Sequence, residues 1–152
     1  MSHERERPAT PIDGHRLLAG GAIAGGVLLA GEFALNVLVL QRSVEESTRP
    51  FEHLFGRWTA ALLAFNTLLL GGVIVFLYAA TRDRLGAGLA TKLGLALLVW
   101  FLAWLHCALV TTALGASSPG FFWLTAAWGL VEVPAAALAG TWVYERGRAT
   151  RR

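Results

Sequence analysis

The 152-residue chain holds one cysteine and one lysine, and only 15% of its residues are charged. With Cys107 alone no disulfide can form within the chain, which excludes a disulfide-stapled secreted module and leaves the redox compartment open. Soluble domains average about 25% charged residues, so this chain cannot cover its surface with polar groups. The same scarcity excludes a disordered tail and a nucleic-acid reader. Catalytic signatures are missing as well: there is no HExxH, no GxSxG nucleophile elbow and no P-loop. His106 is the sole histidine in an apolar run, so bis-histidine haem ligation within one chain is not available. Nor does the start resemble a cleavable leader. Met1 to Arg16 carries six charges and two prolines without an apolar core, so the first hydrophobic segment is expected to be a retained anchor.

What the chain has in abundance is apolar sequence, with 55% hydrophobic residues and a mean hydropathy of +0.55. A helix needs roughly 20 apolar residues to cross a bilayer. Four stretches reach that length, approximately Leu17 to Leu40, Trp58 to Ala80, Leu93 to Leu114 and Phe121 to Val143. They predict an all-α bundle of four transmembrane helices over residues 17–144, with an amino-terminal tail at 1–16 and a basic carboxyl-terminal tail at 145–152. Arg5, Arg7, Arg16, Arg82, Arg84, Lys92, Arg146, Arg148, Arg151 and Arg152 fall on one side, and only Arg42, Arg49 and Arg57 on the other. Ten basic residues against three place both termini in the cytoplasm. All the basic residues but Lys92 are arginine, which suggests a high-GC bacterial genome and hence the bacterial inner membrane. In the one long connection, Phe51, Leu54 and Phe55 follow Pro50 at helical spacing, as a short surface helix or a loop with tucked aromatics.

Polar residues inside the apolar runs are the candidate site. Counted at 1.5 Å per residue, Glu32, Asn66, His106 and Glu132 fall within about one turn of a common level, between the midplane and the outer surface. Asn36 lies on the Glu32 face, one turn on. Charged residues at this depth cost about 2.5–3.5 kcal/mol each on insertion scales and nearly always face the bundle interior. Gly21 and Gly25, on the Glu32 face, make a small-xxx-small pattern that permits close helix approach. Both glutamates are therefore expected to point inward, with Asn66 and His106 as nearest partners. Two carboxyls in low dielectric cannot readily both ionise, and His106 could share the proton. Such a cluster suits carrying a proton, holding a cation or binding a small amphiphile. Pro134 removes the hydrogen bond its amide would make to Leu130, so a bend is expected near Glu132. Trp100 and Trp104 read as packing or lipid contacts. Neither a cofactor nor a metal is named: Glu32, His106 and Glu132 would suit zinc, iron or manganese, but spacing across three helices does not select that reading.

A register also recurs between the halves. Asn66 and Glu132 lie twelve residues before Tyr78 and Tyr144, and Arg82 and Arg148 four residues after them, as in two hairpins repeated in one orientation. The run Trp128-Gly129-Leu130-Val131-Glu132, with Ala139 to Tyr144 and Glu32-Phe33-Ala34-Leu35-Asn36, resembles a group of small four-helix bacterial membrane proteins of unknown function. That resemblance implies the architecture and brings no activity. The residues themselves point to a non-enzymatic multi-pass protein whose partner is the lipid bilayer. It would act as a homodimer, since one four-helix chain is thin for a transporter. The rival is an accessory subunit of a larger membrane complex, in which the polar residues are interhelical glue and a Trp-rich face of helix three meets the partner.

Overall fold

A computed structural model describes residues 12–39, 56 and 58–149, and they are all-helical. Four helices are long and apolar enough to cross a membrane: α1 (Gly14–Val39), α2 (Thr59–Leu85), α3 (Leu89–Ala113) and α4 (Pro119–Ala149). Asp13 caps α1, its carboxylate accepting from the Arg16 amide at 3.3 Å. That satisfies one of the donors that every helix start leaves open. The α2–α3 connection turns at Gly86, where φ is +85°. Between α3 and α4 the chain turns at Gly115 (φ +72°), with the Ala116 amide donating to the Thr111 carbonyl at 2.9 Å. That glycine-terminated closure satisfies carbonyls a helix end exposes.

The helices outrun the apolar stretches, because polar residues can continue a helix past hydrocarbon. α2 carries Arg82 and Arg84 in its last turn, where cations complement the helix dipole. α4 continues through Pro134 as one helix. The Pro50 to Phe55 reading falls outside the described residues, as do the side chains of Arg5, Arg7, Arg42, Arg49, Arg57, Arg148, Arg151 and Arg152.

Glycines decide how the rods meet. α1 lies between α2 and α4, and α3 packs chiefly on α4. A Cβ on Gly21 would stand 2.9 Å from the Cα of Gly72, and one on Gly71 would fall on the backbone of Gly25. Gly20 and Gly140 do the same between α1 and α4, each notional Cβ 2.7 Å from the other's carbonyl oxygen. Without a hydrophobic drive between helices in lipid, such backbone approach supplies much of the packing energy. The core at these crossings holds Ala24, Leu28, Ile74, Val75, Val133, Ala136 and Ala137. Large apolar side chains elsewhere point outward, among them Leu62, Leu63, Phe65, Phe101 and Val131. In water so continuous an apolar surface would aggregate, whereas a bilayer solvates it.

Two of the helices are not uniformly wound. α1 passes into a π-helical stretch at Ala34–Val39 and α3 contains one at Phe101–Leu105. A π turn takes one residue more than an α turn and so rotates everything beyond it.

Candidate functional site

Antiparallel packing brings Glu32 of α1, Trp104 of α3 and Glu132 of α4 to one level, in the half of the bundle away from the described termini. Glu32 is fully engaged. Asn36 donates through Nδ2 to Glu32 Oε2 at 2.8 Å and to the Glu32 carbonyl at 2.8 Å. The Trp104 indole donates to Glu32 Oε1 at 3.2 Å. Trp104 is held there by Gly129, where a Cβ would come within 2.7 Å of its Cγ. Alongside, the Trp100 indole donates to the Ala126 carbonyl of α4 at 2.8 Å.

Glu132 is different in kind. It is 6% exposed, and neither carboxyl oxygen has a hydrogen-bond partner among the described residues. The carboxyl lies against the Cα of Gly31, in the space a Cβ would take. Trp128, one turn earlier, turns its buried indole nitrogen toward the carboxyl, and the Glu32 amide also approaches it, but neither closes a hydrogen bond of good geometry.

Two cavities adjoin these groups. A central one of about 330 Å³ is reached by all four helices, with Glu32, Asn66, Thr67, Trp104, Thr111 and Thr125 in its wall. The other, about 420 Å³, is a groove between α1 and α4 lined by Val27, Gly31, Leu124, Ala127, Trp128, Val131 and Glu132.

No protein-family model, curated protein or solved structure matches this chain. The resemblance carried by the Trp128 to Glu132 run therefore identifies no family, and the site rests on its own geometry.

Against the sequence expectations, the structure places Glu32 and Asn36 in contact, Glu132 beside them on the Gly31 backbone, and Asn66 across the central cavity without a hydrogen bond to either glutamate. His106 is not brought in. It is exposed on the outside of α3, and the π turn explains why. Ala96, Val99, Trp104 and Ala108 are the buried positions of α3, so the spacing widens to five between Val99 and Trp104. Uniform α winding would instead have carried the inward face through Ala103 to His106 and Cys107. Trp104 takes the inward place and supplies the donor expected of the histidine. The carboxylate–imidazole metal site is thus not assembled, and the described residues hold no group of three or more His, Cys, Asp or Glu side chains that could bind an ion. A Trp-rich partner face on α3 is corrected too, since Trp100 and Trp104 turn toward α4.

A second polar cluster, unanticipated from sequence, sits where α2 ends and α3 begins. Tyr78 and Tyr144 are buried with ring centroids 6.5 Å apart, edge to face. Tyr78 donates to Glu145, whose other oxygen takes Lys92 Nζ at 2.7 Å. Lys92 stands 5.5 Å over the Tyr78 ring, and Arg82, 5% exposed, 4.9 Å over that of Tyr144. The signal was present in the twelve-residue register of the tyrosines and in the single lysine, which pairs across 53 residues. This cluster ties α2, α3 and α4 together. Replacing Glu145 by alanine is expected to lower stability by about 1–2 kcal/mol, because a buried phenol and an ammonium lose one acceptor. Lys92→Ala should cost less, and thermal unfolding in mild detergent measures both.

Proposed function

We propose that the chain is a multi-pass protein of the bacterial inner membrane, with both termini in the cytoplasm, which binds or conducts a proton, a cation or a small amphiphile at Glu32 and Glu132. The observation that carries this reading is the Glu132 carboxyl, buried and without a hydrogen-bond partner among the described residues. A polar group held that way costs about 1–3 kcal/mol against a satisfied one. Ionisable residues inside membrane helices mark ion pathways, proton relays and ligand sites. The orientation follows from the basic residues, ten against three, which favour the cytoplasmic side.

Glu32 also favours the second reading, an accessory subunit held together by interhelical hydrogen bonds, because its carboxyl is occupied by Asn36 and Trp104. Glue accounts less well for Glu132, whose nearest donors, the Trp128 indole and the Glu32 amide, close no hydrogen bond of good geometry.

Native mass spectrometry of the protein released from mild detergent tests the choice. Wild type is expected to carry a cation or small molecule that Glu132→Gln lacks while eluting as the same folded species. An identical adduct in both overturns the site and leaves the accessory-subunit reading, and a bare chain in both overturns a cation or amphiphile as the ligand and leaves the proton or the accessory subunit.

A further inference from the structure

The α1–α4 groove differs from the central cavity in what lines it and in where it opens. Val27, Leu124, Ala127 and Val131 make its walls, and its acidic group is Glu132. Val131 is 73% exposed, and Ala127 and Leu124 are also exposed. The groove therefore opens sideways on the apolar surface rather than along the bundle axis. Its volume of about 420 Å³ lies within the range of about 300–1,000 Å³ usual for small-molecule pockets.

We propose that this groove binds a long-chain alkylamine, the ammonium on Glu132 and the alkyl chain along Val27, Leu124, Ala127 and Val131. The inference rests on the reading of Glu132 as a ligand site and adds to it the class of ligand and the side of entry.

The chemistry selects the amine. Both oxygens of Glu132 are buried acceptors that close no hydrogen bond of good geometry, the Trp128 indole and the Glu32 amide being the donors nearest to them, and an ammonium brings three donors together with the charge that a carboxylate in low dielectric lacks. The Trp128 indole, in the same groove, adds an aromatic wall suited to a cation. An anionic amphiphile would meet Glu132 and, behind Gly31, Glu32. An alcohol of equal length could donate one hydrogen bond and no charge. Gly31 makes the arrangement possible, since any Cβ there would occupy the place of the carboxyl. Because the walls face outward, the ligand enters from among the acyl chains.

A dodecylamine carrying a terminal diazirine, compared with the corresponding alcohol, tests this on the full chain in nanodiscs of zwitterionic lipid. After irradiation, peptide mass spectrometry is expected to find the amine on α1 and α4 groove residues at about tenfold the yield of the alcohol, the factor for a desolvated charge pair. Excess dodecylamine should compete it away. Glu132→Gln should abolish the preference. Ala127→Trp, which fills the groove from an exposed position and leaves the carboxyl in place, should abolish the labelling of the groove. Equal yields for amine and alcohol, or labelling that persists in Ala127→Trp, would overturn the proposal. Labelling on Ala103, Cys107 or Thr111 of the central cavity would also overturn it, yet leave an intramembrane carboxyl site standing. The two readings separate further in Ala127→Trp, where a cation adduct retained in native mass spectrometry keeps the site while the groove is blocked.

Discussion

Gly71→Val is expected to destabilise the bundle by about 3 kcal/mol, the upper end of overpacking costs in a filled interior. The reason is backbone. A Cβ at position 71 coincides with the amide nitrogen and Cα of Gly25, and neither can rotate away as a side-chain tip can. α1 and α2 must separate, and the contacts of Gly21 with Gly72 and of Gly25 with Leu68 open with them. Gly72→Val is the control one residue along, where a Cβ meets nothing within 4 Å. That variant is expected to stay within about 0.5 kcal/mol of wild type. Reversible unfolding in bicelles measures both, and equal stabilities for the two would show that the α1–α2 contact is not this close.

The second large effect has opposite signs at two glutamates. Glu132→Leu should raise stability by about 1–3 kcal/mol, because it exchanges a buried carboxyl without a well-formed hydrogen bond for an apolar side chain of similar reach. Glu32→Leu should lower it by about 1–2 kcal/mol, since the Trp104 indole loses its acceptor. Asn36 softens that loss by keeping its bond to the main-chain carbonyl of residue 32. If Glu132 exists to take up a ligand, the stabilised leucine variant is also the one that loses it, the usual exchange of stability against activity at a functional site. Unfolding free energies paired with native mass spectrometry read both quantities on the same samples. A destabilised Glu132→Leu would mean that the carboxyl is engaged in packing after all.

Much of this architecture was legible because membranes impose length. Four apolar runs of the required span fix the number of helices, and Gly21 with Gly25 announces a close crossing. The depth of Glu32 and Glu132 follows from counting residues, so their common level was also within reach. Facing is where counting fails. The inference for His106 assumed one winding from Leu93 to Leu114, and a single π turn at Phe101–Leu105 moves the inward stripe onto Trp104. Nothing in the local residue types distinguishes that turn from α-helix, since its cause lies in tertiary packing, with the indole seated on Gly129 and bonded to Glu32. The Tyr78, Glu145 and Lys92 cluster was hidden for another reason. Its members are ordinary boundary residues in sequence, and only the antiparallel return of α4 brings Glu145 between the other two.

The position of α4 has a further consequence. Phe121 and Thr125 face the central cavity, whereas Leu124, Ala127 and Trp128 face the groove, so one helix serves as the partition between two chambers. Near residue 145 that partition is anchored to α2 and α3 through Tyr78 and Lys92, and toward Pro119 it borders open volume on both sides. α3 holds the same wall at the level of the two spaces, through the Trp100 indole on the Ala126 carbonyl and Trp104 seated on Gly129. The partition is therefore braced at both levels, and the two chambers lie back to back on one helix, each with its own lining.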